Sequence, residues 1–312
     1  MLTSYPQDKT QGDHQAPPPV WLDLVDPSDE ERNRATGLLG AELPTRKQVA
    51  DIAMSSRVRT SEEMLRINIP GFVREDGGKG ALTPLGVMLT PKVLVTLRYA
   101  DSLAFERLAA TVAQRAATES SVETFVGLFE SVAETAADRM QTLSGELSQL
   151  SRNVFADRDG HSRMLRGVLF EVGRIQRQLT QIRAAQLGVQ RGLAHLCDGA
   201  PKWIDKAQVA RLLVVQADLH SLSEFDQQLD DKVQFLLDAT LGFINNDQND
   251  LIKVLTIASV VTIPPMILAG IWGMNFKSIP EYNWANGYGF AWAMIVLSMI
   301  LPLAWFKWKK WF

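Results

Sequence analysis

The sequence predicts an α+β domain joined by a long stalk helix to a two-helix transmembrane hairpin. Short alternating stretches set off by Gly, Pro and Asp occupy the first hundred residues, helical periodicity then takes over, and charge almost vanishes after Lys253. Roughly 20 apolar residues cross a bilayer as a helix. Between Lys253 and Lys277 lie 23 uncharged residues, VLTIASVVTIPPMILAGIWGMNF, and between Glu281 and Lys307 lie 25 more, YNWANGYGFAWAMIVLSMILPLAWF.

The elements follow in order. Residues 1–19, MLTSYPQDKTQGDHQAPPP, lack the basic start and apolar core of a signal peptide and read as a disordered arm. Residues 20–200 form an α/β domain with a helical hairpin. Its opening strand lies in PPPVWLDLVDP (17–27), ended by Asp-Pro, and LRINIPGF (65–72), TPLGVMLT (83–90) and KVLVTLRY (92–99) complete a small sheet. Apolar positions three to four apart make 101–145 helical. FADRDG (155–160) is a break, 162–196 is helical again, and HLCDGAPKW turns the corner. The last helix runs from near Trp203 to Trp272, about 70 residues or roughly 105 Å at 1.5 Å per residue. Residues 201–250 are its stalk and 251–275 the first span. An outward loop (276–287), a second span (288–306) and a basic tail (307–312) follow.

Trp272, Phe276, Trp284, Tyr288, Trp305, Trp308 and Trp311 flank the spans as interfacial aromatics do, and the KWKKWF tail belongs on the cytoplasmic side. Two spans return the N-terminal domain to that side. Two helices cannot enclose a hydrophilic path, so a pore needs several copies around an axis.

Composition excludes other classes. The chain has 312 residues, a formal net charge of −3 and one cysteine, and its mean hydropathy of −0.03 is too polar for a multi-pass bundle. Neither the charge nor the aromatic pattern suits nucleic acid. Cys197 alone makes neither a disulfide nor a Cys-cluster metal site and reads as a packed structural residue. His14, His161, His195 and His220 have no tetrahedral zinc spacing, leaving His220 on the stalk as an occasional metal visitor. No Ser-His-Asp spacing, metal-hydrolase motif or phosphate-cradling glycine loop is present, so neither an enzyme, a nucleotide nor a prosthetic cofactor is expected.

Helical steps back from Asn275 select Gly270, Met266, Ile263, Ser259, Leu255, Ile252, Asn249, Asn245 and Asp238 as one face, polar at its ends and apolar between. A gated cation path has that profile, since hydrophobic constrictions close by dewetting. Mg²⁺ sheds water reluctantly, and amide oxygens of Asn275 with the Gly273 carbonyl can hold the ion through its hydration shell. Gly273 has no Cβ to keep the backbone away, and Glu281 would gather cations at the outer mouth. The bland alternative makes Gly273-Met274-Asn275 a helix cap and turn. The stalk acids, Asp218, Glu224, Asp226, Asp230, Asp231, Asp238, Asp247 and Asp250 against Lys232, form either a solvated face or an attractive vestibule. Pro264-Pro265 gives fixed curvature or a hinge.

The stretch INNDQNDLIKVLTIASVVTIPPMILAGIWGMNFKSIPE through NGYGFAWAMIVLSMILPLAWFKWKKW resembles the CorA-type metal ion transporters of the CorA/ZntB superfamily. Gly-Met-Asn after an aromatic, then apolar-Pro-Glu, carries the likeness. VWLDLVDPSDEE and VLVTLRY resemble the family's sheet strands. The likeness is close over 238–312 and looser before it. It implies a homopentamer, all subunits parallel, with a cytoplasmic α+β funnel, a pore-lining stalk helix, and a bacterial inner (plasma) membrane location with both termini cytoplasmic. It implies passage of Mg²⁺, with Co²⁺ and Ni²⁺, and no ATP hydrolysis. By position the filter falls on Gly273, Met274 and Asn275, the lower polar ring on Asn249, the constriction on Ile252 and Leu255, and the acidic ring on Asp238. Asp226, Asp230 and Asp231 are candidates for a regulatory Mg²⁺ or Zn²⁺ shared between subunits. Met266 stands where many members keep a small hydroxyl residue, and Trp272 where tyrosine is usual. Those departures keep a Zn²⁺ transporter of the ZntB branch, proton-coupled or not, as an alternative, although the spans hold no acid or histidine to relay a proton. A non-conducting membrane metal sensor or scaffold is the reading from another class.

Overall fold

A computed structural model describes residues 1–5, 19–50, 58–72, 82–115, 120–156, 162–275, 277, 279–309 and 311. Among them are six strands: β1 (Leu2–Tyr5), β2 (Trp21–Val25), β3 (Val58–Thr60), β4 (Leu65–Phe72), β5 (Leu82–Leu89) and β6 (Leu94–Arg98). Seven helices accompany them: α1 (Asp29–Leu39), α2 (Arg46–Ala50), α3 (Leu103–Arg115), α4 (Ser121–Ala156), α5 (Ser162–Asp198), α6 (Lys206–Trp272) and α7 (Gly287–Trp308). The chain divides into two units, Met1–Ala156 with Val168–Leu237, and Asp157–Gly167 with Asp238–Phe312.

The first unit is built on one sheet in the order β1-β2-β6-β5-β4-β3. β2 and β6 are parallel, pairing Trp21 with Leu94 and Val25 with Arg98, and every other pairing is antiparallel. Alternation along a strand sends successive side chains to opposite faces. Trp21, Leu94, Val87 and Ile67 accordingly join one core with residues of α3 to α6, while Leu22, Leu24, Val95 and Met88 join Ala35, Leu39 and Val49 in the other. The sheet is thus covered on both sides.

Inside that sandwich a polar chain is fully paired. Trp21 Nε1 donates to Thr96 Oγ1 at 2.9 Å, Thr96 Oγ1 donates to Asp23 Oδ1 at 2.8 Å, and Arg98 Nη2 closes on Asp23 Oδ2 at 2.9 Å. A buried carboxylate is tolerable only with such partners.

The predicted opening strand and its three successors are β2, β4, β5 and β6. The disordered arm needs correcting over its first five residues, because Leu2–Tyr5 pairs with β2 and Tyr5 stacks on Trp21 at 4.5 Å. Residues 6–18 of the arm, with His14, lie outside the described residues, as do His161, Phe276 and residues 157–160 of the FADRDG break. Asp26, before Pro27, takes a left-handed φ of 41° as β2 ends. α1 then starts on a capping box, Ser28 Oγ accepting from Glu31 N–H and the Glu31 carboxylate accepting from Ser28 N–H.

Candidate functional site

The predicted stalk and first span are one uninterrupted helix of 67 residues, α6. Ala, Leu, Gln and Asp dominate its stalk half, with few residues that break a helix. It carries every predicted pore residue from Asp238 to Gly270. At 100° per residue these fall within about 120° of arc, so they share a side. In the single chain they are exposed or half-buried, Leu255 at 69% and Met266 at 64%. Exposure does not single out that side, since Leu251, Val254, Ile267 and Ile271 are as open, while Ile257, Val261, Pro264, Pro265 and Leu268 are half-buried. Ser259 turns its hydroxyl along its own helix to the Leu255 carbonyl at 2.9 Å, and Thr262 bonds the Ala258 carbonyl at 2.6 Å.

Pro264 and Pro265 lie inside α6. Having no N–H, they leave the carbonyls of Val260 and Val261 without the usual helical donors. The helix stops at Trp272. Gly273 N–H bonds Ala269 O at 3.0 Å and Met274 N–H bonds Ile271 O at 3.2 Å. A Cβ at Gly273 would sit 3.2 Å from Ala269 O, so the turn fits glycine best. Gly273, Met274 and Asn275 thus end the helix with all three residues exposed. Glu281 is half-buried in the 3-10 turn Pro280–Asn283, where its carbonyl accepts from Trp284 N–H at 3.3 Å. Trp284 packs edge-on to Phe290 of α7 at 5.4 Å.

The stalk acids separate into two kinds. Asp226 is 1% exposed. Its Oδ2 accepts from Arg183 Nε of α5, Arg183 Nη2 reaches Asp230 Oδ2 at 3.4 Å, and Gln176 Nε2 donates to Asp230 Oδ1 at 2.7 Å. Burial pushes the Asp226 carboxyl above its ordinary range despite the pull of Arg183. Asp226 and Asp230 are thus engaged within their own chain, and of the three regulatory candidates only Asp231 is exposed.

Sequence reasoning missed a second clamp. Arg211 Nε and Nη2 donate to the Glu130 carboxylate of α4 at 2.9 and 2.8 Å, and Nη1 pairs with Glu123. The hydrogen bonds to Glu130, and then to Glu123, hold the guanidinium above its usual value. No local signal announces it, since the partners are 81 and 88 residues away. His220 is exposed, 4.0 Å from Glu224 one turn on. Cys197 is half-buried among apolar side chains, and burial raises its thiol. Among the described residues no three His, Cys, Asp or Glu converge as a metal site.

The family described as "CorA-like Mg2+ transporter protein" matches residues 19–309. The chain belongs to the CorA family. It is 30% identical over 293 residues to "Magnesium transport protein CorA" of Salmonella typhimurium, covering 94% of this chain and 92% of that protein. With the protein of that name from Escherichia coli K12 the identity is 31% over 297 residues, again covering 94% and 92%. Among solved structures, the CorA magnesium transporter of Methanocaldococcus jannaschii has a TM-score of 0.76 at 20% identity, covering 94% of this chain and 91% of that one. Full-length CmaX gives 0.67 at 16%, covering 98% and 92%. The ZntB cytoplasmic domain of Vibrio parahaemolyticus gives 0.55 at 12%, covering 73% and 88%. These structural likenesses carry the fold: a mixed α+β domain joined to a long helix and a second apolar helix. α6 and α7 are each long and apolar enough to cross a membrane. Membership of the CorA family makes the chain a transporter-type protein and not an enzyme.

Proposed function

We propose that this protein is a divalent-cation channel, with Mg²⁺ as its expected ion and Co²⁺ and Ni²⁺ as further substrates. In this reading five parallel copies surround a pore lined by α6, in a bacterial inner membrane, with both termini cytoplasmic. Cations gather at Glu281 and pass Gly273-Met274-Asn275 still hydrated. They cross the stretch Gly270, Met266, Ile263, Ser259, Leu255 and Ile252, then leave past Asn249, Asn245 and Asp238. The apolar stretch at Leu255 and Ile252 gates by dewetting. Regulation by a cytoplasmic cation would draw on Asp231, since Asp226 and Asp230 are occupied by Arg183 and Gln176.

The observation that carries this reading is the position of the motif. Exposed Gly273-Met274-Asn275 directly follows the apolar last part of α6, which is long enough to span a membrane. An amide there offers neutral oxygens to a hydrated ion, which a carboxylate would bind too tightly to release.

Flux into liposomes carrying the purified protein tests it, with Mg²⁺ and Zn²⁺ supplied separately, with and without a pH gradient. Mg²⁺ entry that ignores pH and falls at least tenfold in Asn275→Ala supports the channel. Zn²⁺ entry that follows the proton gradient would move the assignment to coupled zinc transport. No flux, with metal still bound by the protein, would make it a sensor.

A further inference from the structure

The inner end of α7 is built in a way that spanning a bilayer does not require. Phe306 is the one buried side chain described in α7. It is held between Trp305 and Trp311, each with its ring 5.2 Å away. The chain closes on it through Trp311 N–H to the Phe306 carbonyl at 3.1 Å, after Lys309 N–H has bonded the Trp305 carbonyl at 3.0 Å. The six-to-one bond and the apolar contact between the same two residues close the helix end.

That closure fixes what surrounds it. Lys307 and Lys309 are exposed and have no ion-pair partner among the described residues. Trp308 is 79% exposed, with the Lys309 ammonium 6.0 Å over its ring. No Asp or Glu occurs anywhere from 282 to 312. A helix C-terminus attracts cations by its dipole. The carbonyls of Trp305 and Phe306, however, are already satisfied by backbone donors, and the ammonium groups remain for another acceptor.

We propose that this turn docks the phosphate of an anionic phospholipid headgroup. Lys307 and Lys309 supply the charge-assisted bonds, and Trp305 and Trp308 lie against the upper acyl chain, at the depth where amphipathic indoles settle. A soluble phosphate ester has no chain to cover those rings, which favours the lipid. The inference rests on reading α7 as a span with its basic end inward.

The test places the full-length protein in vesicles of phosphatidylcholine, alone or mixed with phosphatidylglycerol. Flotation is scored first, then the lipid retained after detergent extraction is measured by native mass spectrometry. The protein should float with both vesicles and retain phosphatidylglycerol preferentially. Retention should weaken about fivefold for each lysine removed in Lys307→Gln and Lys309→Gln. It should persist in the paired arginine variant, fall in Trp311→Ala, and stay unchanged in Lys277→Gln, at the other end of the spans. Equal retention of the two lipids by floating protein, or undiminished retention without both lysines, overturns the proposal alone. Failure to float overturns the span reading and the proposal together.

Discussion

Trp21, Phe125, Phe129 and Ile175, in the unit formed by Met1–Ala156 and Val168–Leu237, are fully buried by their own chain. Leu251, Ile252, Val254, Leu255 and Met266, in the unit that includes Asp238–Phe312, are just as apolar and stand open. The contrast lies in what each surface expects as solvent. The first unit packs a continuous core of its own and pairs charges across it, in the Trp21-Thr96-Asp23-Arg98 chain and the Arg211 clamp. The second leaves its apolar area to acyl chains or to other copies, as a span must. A single chain of the second unit is unfinished in a sense that the first is not.

The contrast breaks most sharply under truncation. Phe129→Ala, at 0% exposure, should cost about 3–5 kcal/mol by emptying a packed site. Val254→Ala, at 66% exposure, should stay within about 0.5 kcal/mol. Thermal unfolding of the full chain in detergent compares the two, and equal losses would show that the second unit is packed after all. Gly188→Ala sharpens the first half. A Cβ there would run into the Pro70 ring, where α5 lies on β4, and overpacking of this kind costs about 1–3 kcal/mol. The same readout should register that loss, and its absence would mean the helix can back away from the sheet.

The smallest effect concerns Asp226. Its folded value is raised by burial, so the neutral form is favoured in the folded chain. The sign follows: that stabilisation is full below the ordinary carboxylate range and is lost as pH rises through the raised value. Asp226→Asn should flatten the fall in melting temperature over that interval, read from thermal unfolding across a pH series; an unchanged slope would mean that another group carries it.

Local signals were legible in the sequence and distant pairings were not. Short apolar or alternating stretches bounded by Gly, Pro and Asp placed β2, β4, β5 and β6 within a few residues, because strands buried on both faces of a covered sheet read as nearly continuous apolar runs. β1 and β3 are short, and each is defined by its partner more than by its residues. The start of α1 is written locally in Ser28-x-x-Glu31. Gly273-Met274-Asn275 was locatable because the end of an apolar helix is a local event. The Arg183 pairing reaches across 43 residues, and only the packing of α5 against α6 makes Asp226 an interior group. An acid on a stalk looks the same in sequence whether it faces water or an arginine.

Because α6 is unbroken from Lys206 to Trp272, every side chain on it shares a single rotational phase. Inserting one residue between Asn249 and Ile252 would turn everything beyond it by about 100°, carrying Leu255 and Met266 away from the side that holds Asn249 and Asp238. Seven inserted residues, close to two full turns, would return them to within about 20°. Evolution along this helix is therefore quantised: substitutions are free to accumulate one at a time, but changes in length are tolerated only in steps that preserve the phase.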